Sequence, residues 1–209
     1  MSQGFYVDGN LLMTFVTPLL KRQWPDSHDL NRRLRDAILE NEQHDTGLSR
    51  SNVGGWHSKE ELFRWKDPAI GELFQRIQEA TQEATSRFCG DAVKGTSPEM
   101  TVSGWANVSR DGHYNSIHNH VGYTWSGVYY VALGDSDPQA PSSGIIEFVD
   151  PRGGIDPEHF PGDALWPYVR VTPAAGMMLL FPGWLQHWVH PFRGRGERIS
   201  IAFNIKLRF

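Results

Sequence analysis

The chain is poor in sulfur: of its 209 residues, Cys89 is the one cysteine. That excludes an internal disulfide and any zinc site built on paired cysteines, and it suits a reducing compartment. Long apolar runs are missing as well. None approaches the roughly 20 residues of a membrane-spanning helix. The start, MSQGFYVDGN, has neither a basic stretch nor an apolar core, so no signal peptide is expected and a cytoplasmic protein is. A surplus of positive charge is also absent. The formal net charge is -4 and the 20 basic residues are scattered, which argues against a nucleic-acid partner and against a membrane surface. There is no P-loop, no G-x-G-x-x-G and no G-x-S-x-G. No repeat of roughly 20–50 residues appears.

What is present reads as a globular, loop-rich chain: 39% hydrophobic and 21% charged residues, with 21 Gly, 13 Pro and 8 Trp. The length fits a single domain, 1–209. Residues 1–98 read as a helical N-terminal part with an edge strand. Leu11–Leu20 is the apolar run that supplies the strand, ending near Pro18. Asp26 or Ser27 can cap a helix whose apolar positions are Leu30, Leu34, Ala37 and Ile38. Residues 46–58 are polar and Gly-rich, a loop in which Gly54-Gly55-Trp56 forms either a lid or an ordinary anchored turn. Pro68 to Phe88 carries an apolar stripe (Ile70, Leu73, Phe74, Ile77, Ala80, Ala84, Phe88) and closes at Cys89-Gly90, as a structural helix should.

After Pro98 helical spacing disappears. Six short β-like runs follow: Met100–Val108, Thr124–Leu133, Gly144–Val149, Tyr168–Thr172, Met177–Phe181 and Arg198–Lys206. Residues 99–209 therefore read as an antiparallel double-sheet jelly roll, a cupin-like double-stranded β-helix, with the N-terminal helices packed against it. The fold class is α+β, mainly β.

Within that half, His118-Asn119-His120 stands out. Two histidines two apart share a face only on extended backbone, because strand side chains alternate. The expectation is that they open the strand running through Tyr123–Val131. His187 follows far downstream, just past another run, and would complete a metal site. Neutral imidazoles suit Fe(II), Zn(II), Ni(II) or Cu(II). Of the other histidines, His28, His44 and His57 have no partner pattern, and His190, before Pro191, suits a turn better than a ligand position. In Glu197–Ile205, alternation puts Arg198, Ser200 and Ala202 on one face and Ile199, Ile201 and Phe203 on the other. A buried arginine needs a carboxylate. That carboxylate is either a ligand's, with Ser200 reaching the same oxygens, or a protein side chain such as Glu147 or Asp150. Tyr123, Trp125, Tyr129, Trp184 and Trp188 are either cavity walls or core aromatics.

The stretches Gly54-Gly55-Trp56, Trp105 through HNHVGYTWSGVYYV, SGIIEFVDPR, GMMLLFPGWLQHWVHP and ERISIAFNI together span roughly residues 50 to 205. In this combination the chain resembles the Fe(II)- and 2-oxoglutarate-dependent oxygenases, and more closely a bacterial and phage group with an H-x-H motif and a distant histidine. The resemblance implies Fe(II) held by His118, His120 and His187, or by two of them. It implies 2-oxoglutarate as cosubstrate, its far carboxylate on Arg198, eleven positions after His187, and on Ser200. Asn107 would contact the same cosubstrate, or else caps a turn. The reaction implied is hydroxylation of a small molecule or peptide, coupled to oxidative decarboxylation of 2-oxoglutarate. His120 stands where the superfamily has Asp or Glu. The rival reading is a silent or non-oxygenase cupin-like metal-binding protein. A zinc enzyme on the same histidines would also need a general base, and none stands at fixed spacing from His118. Exposed aromatics could serve a homodimer.

Overall fold

The computed structural model describes residues 5–6, 12–153 and 166–209. Leu11 and His159 lie outside them. In chain order come β1 (Phe5–Tyr6), β2 (Leu12–Met13), β3 (Leu20–Gln23), α1 (His28–His44), β4 (Asn52–Val53), β5 (Trp56–His57) and α2 (Pro68–Cys89). Then follow β6 (Glu99–Ser109), β7 (Tyr114–His118), β8 (Trp125–Ser136), β9 (Ile146–Val149), β10 (Tyr168–Val171), β11 (Met177–Pro182), β12 (His187–Val189) and β13 (Gly194–Arg208). A six-stranded sheet has the order β3-β11-β8-β13-β6-β5 and faces a five-stranded sheet of order β10-β9-β12-β7-β4. The pairings between these strands are antiparallel. This is the double-stranded β-helix expected from the sequence, with both helices against one sheet.

Strand parity sorts the core into two layers. On β8, β11, β13 and β6, the residues Tyr129, Val131, Met178, Leu180, Ile199, Ile201, Phe203, Ile205, Ala106 and Val108 turn outward to Leu30, Leu34, Ile38, Ile70, Leu73 and Ile77 of the helices. Their neighbours Val128, Tyr130, Leu179 and Phe181 turn inward to Ile146 and Phe148 of the second sheet. The helices form because their apolar positions fall on one stripe. α2 starts at Pro68 with Asp67 as cap, its side chain accepting from the Ala69 amide at 2.7 Å. α1 begins after Ser27, but that hydroxyl does not cap. It donates to the Trp24 carbonyl (2.6 Å) and accepts from Arg76 (2.8 Å).

Two expectations need correction. The edge strand does not end at Pro18. It begins after it, as Leu20–Gln23 pairing with Met177–Leu180. Proline cannot donate to a ladder, and the polar LKRQ suits a solvent-facing edge. Residues 46–58 are not all loop: β4 joins one sheet and β5 the other. Trp56 is buried there, and its indole donates to the Asp45 carbonyl at 2.7 Å, which makes it an anchor.

The Phe203 ring lies over Gly127, its cross-strand partner. A Cβ at position 127 would press on that ring and on the Leu179 carbonyl. Gly127→Ala should therefore cost about 1–3 kcal/mol of stability in urea denaturation. An unchanged midpoint would mean that the ring moves aside freely.

Candidate metal centre

His118 is the last residue of β7, and His187 is the first of β12. The two are direct partners in the antiparallel ladder. His120 lies in the turn after β7, so the pair ends one strand and does not open the next. The turn is held in place because the His120 amide donates to the Gly183 carbonyl at 2.7 Å. Gly183 allows this approach: a Cβ there would come within 2.7 Å of the His120 carbonyl. Each of the three imidazoles offers a nitrogen, and these atoms lie within 4.8 Å of one another. Phe181 and Phe148 pack on His187, and Trp105 packs on His120.

Burial pushes His187 down to about 3 and His120 to about 4, and lowers His118. All three rings are therefore neutral near pH 7, as a metal donor must be. The donor set fits a transition metal. Nδ1 of His118 lies 2.7 Å from the Ser116 carbonyl, and Nδ1 of His187 lies 2.9 Å from the Leu185 carbonyl. A carbonyl only accepts, so both rings carry their proton on Nδ1 and keep a lone pair on Nε2.

Arg198 and Ser200 are buried on the inward face of β13, with Asn107 opposite Ser200 on β6. Arg198 Nη2 donates to the Gly144 carbonyl at 3.1 Å, and the guanidinium sits 5.4 Å from the centre of the Tyr130 ring. Neither proposed protein carboxylate reaches it. Glu147 is occupied by Arg170 (2.6 Å), Trp188 (3.0 Å) and His190 (3.1 Å), and Asp150 by Arg152. The salt-bridge alternative is thereby removed. Arg198 Nε, the Tyr130 hydroxyl and Asn107 Oδ1 meet no partner in hydrogen-bonding geometry among the described residues. Burial raises Tyr130 to about 12, so its hydroxyl keeps its proton. These groups and the three histidines line one cavity. A cavity of about 670 Å³ lies elsewhere, between the end of α2 and the last strand, with hydroxyls and amides of α2 and apolar side chains such as Met100, Leu207 and Phe209 in its lining; the histidine cluster lies outside it.

The choice between cavity wall and core, left open for five aromatics by the sequence, goes against the wall for each of them. Trp125 and Tyr129 face the helices, bonded to Thr85 and Asn31. Trp184 is 46% exposed. Trp188 lies beside Glu147, and Tyr123 is not among the lining residues. The walls are Trp105, Tyr130 and Phe181. Parity points to Tyr130, since it pairs with Ser200. Ser51 was also missed. Its hydroxyl lies 3.5 Å from His118 Nε2, brought in by β4, which a polar loop sequence did not announce. His190 stands apart from the cluster.

Residues 103–204 match a family model described as "Putative 2OG-Fe(II) oxygenase". That segment belongs to the 2OG-Fe(II) oxygenases. With the family come Fe(II) as metal, 2-oxoglutarate as cosubstrate, and an oxidoreductase activity. Among solved structures, the oxygenase resembles a prolyl-4-hydroxylase from Pseudomonas putida at TM-score 0.63 and 16% identity, over 91% of this chain and 93% of that one. It resembles a viral collagen prolyl hydroxylase from Paramecium bursaria Chlorella virus-1 at 0.57 and 12%, over 90% and 94%. HygX from Streptomyces hygroscopicus, solved with nickel and 2-oxoglutarate, aligns at 0.58 and 14%, over 92% and 84%. At such identities these likenesses establish the fold. No curated protein matches the chain. No helix among the described residues is long and apolar enough to cross a membrane.

An arginine buried without an anion should cost stability. In carboxylate-free buffer, Arg198→Met is expected to unfold at equal or higher urea concentration than the parent. A loss above about 1 kcal/mol would instead make the guanidinium a structural group.

Proposed function

We propose that His118, His120 and His187 hold Fe(II), and that Arg198, Ser200 and Asn107 receive the far carboxylate of 2-oxoglutarate, in an enzyme that hydroxylates a small molecule or peptide. The observation that carries this reading is Arg198: a buried cation with no carboxylate among the described residues, lining the same cavity as three neutral imidazoles. A bidentate carboxylate would answer its unused donors. Tyr130, still protonated, supplies a further hydroxyl beside it.

Bound together, Fe(II) and 2-oxoglutarate supply dioxygen activation coupled to oxidative decarboxylation to succinate. The chain's share is placement. The two Nδ1–H bonds to backbone fix the rings of His118 and His187. Trp105, Phe148 and Phe181 keep water from the buried side of the imidazoles. His120 in place of a carboxylate removes one negative charge from the metal's donors, which weakens discrimination of Fe(II) from Zn, Ni and Cu. Prolyl hydroxylases among the structural neighbours support a peptide as one substrate class. Nucleic acid is disfavoured by the charge. The single cysteine, Cys89, exposed and free, supports a cytoplasmic setting. Residues 1–209 are read as one domain, because both helices share a core with the six-stranded sheet. A homodimer remains a proposal supported by exposed aromatics such as Trp184 and Phe209.

An anaerobic titration tests the reading. The protein with Fe(II) should develop a weak visible absorption band on addition of 2-oxoglutarate. His187→Ala should lose iron. Arg198→Ala should bind 2-oxoglutarate roughly a hundredfold more weakly, since truncating one partner of a buried charge pair costs on the order of 2–5 kcal/mol. Iron binding with no response to millimolar 2-oxoglutarate would favour the cupin-like alternative.

A further inference from the structure

We infer that Asn204 sets the tautomer of His120, its amide oxygen accepting from Nδ1–H so that Nε2 keeps the lone pair a metal needs. The inference rests on the three-histidine reading above. Two of the three rings have their tautomer fixed by a backbone carbonyl, at Ser116 and at Leu185. His120 has no such carbonyl. Its Nδ1 lies 3.4 Å from Asn204 Nδ2, and Asn204 Oδ1, buried, has no hydrogen-bond partner among the described residues. With the amide this way round, Nδ2 donates to Nδ1, the ring proton sits on Nε2, and no lone pair is left for a metal.

Turning the amide by 180° exchanges nitrogen and oxygen with almost no change of shape. Oδ1 then accepts from Nδ1–H, while Nδ2 gives up its contact with His120, so the count of partnered amide atoms is unchanged. The rotation exchanges one unpartnered amide atom for another, and its gain is the free lone pair on Nε2. The neighbours offer no substitute. Trp105 presents a tilted ring face at 5.8 Å, and the Gly183 bond holds the His120 backbone, leaving the ring free to turn. Asn204 is therefore a positioning residue, on the inward face of β13 with Arg198 and Ser200. It also answers the departure at position 120. A carboxylate ligand has no tautomer to set, whereas an imidazole in its place needs an acceptor behind it.

The test uses the full chain loaded with zinc, which is diamagnetic. Nitrogen-15 NMR of the wild-type protein should show His120 protonated at Nδ1 and bound through Nε2; a ring bound through Nδ1 would overturn the inference without any variant. In chelator competition, Asn204→Ala should weaken zinc binding roughly tenfold to a hundredfold. Asn204→Asp, whose carboxylate can only accept, should return it to the wild-type range or tighter. Unchanged affinity in Asn204→Ala, or an equal loss in both variants, would overturn it. A wild-type protein that takes no zinc removes the metal reading and this inference together. Zinc held by His118 and His187 alone removes the three-histidine site and this inference with it, whereas unchanged affinity in Asn204→Ala removes this inference alone.

Discussion

The structure hangs on one strand, β13, paired along its length with β6 on one side and β8 on the other. Because successive side chains in a strand point to opposite faces, those two ladders decide everything β13 presents. Ile199, Ile201, Phe203 and Ile205 go to the helices and anchor the sheet there. Arg198, Ser200, Ala202 and Asn204 are left for the space between the sheets. The interior is polar at this point because the opposite face of the strand has already been committed to apolar packing. A one-residue slip would send the isoleucines into the cavity and the arginine into the helix interface, so register and site are fixed by the same hydrogen bonds.

The second sheet completes the arrangement from the other side. Its strands are short, and β7 and β12 contribute little apolar surface. What holds them is the ladder that places His187 opposite both His118 and Phe148. Phe148 and Phe181 then close on the His187 ring. The same packing that lowers the proton affinity of His187 also keeps its ring from turning away. Stability is spent here for function: a guanidinium with one backbone acceptor and no carboxylate, and two amide oxygens without a partner among the described residues, are buried in one place. A chain under selection for stability alone would fill such a space with leucine.

Much of this was legible in the residues. α2 was, because its stripe is long and its caps are local. So was the division of β13, because ERISIAFNI alternates without interruption. The histidines were identifiable as a set, since H-x-H requires extended backbone to share a face. Less was legible where tertiary pairing overrides local pattern. YNSIH and HWV do not read as strands, and they form because partners lie on both sides. Size left each aromatic open as wall or core, and strand parity decides between the two. Tyr129 and Tyr130 are adjacent in sequence, and only their register against Ile201 and Ser200 tells that one serves the helices and the other the cavity. Whether Arg198 pairs with Glu147 is a question of distance, which no spacing in sequence answers.

The charge balance gives the departure at position 120 its physical meaning. With a carboxylate at that position, a divalent metal and a dianionic cosubstrate beside one arginine would sum to zero. With His120 the same assembly carries one positive charge. The side chains lining the cavity among the described residues include no carboxylate to absorb it, and Glu147, next in sequence to the lining residue Ile146, is held by Arg170, Trp188 and His190. As far as the described lining residues go, every negative charge must therefore arrive with a ligand. In a low-dielectric cavity that deficit strengthens the hold on an anion far more than it would at a surface. On the proposed site, the same deficit that loosens the preference for Fe(II) would tighten the demand for the dianion, and the cosubstrate would become part of what makes the metal site electrostatically complete.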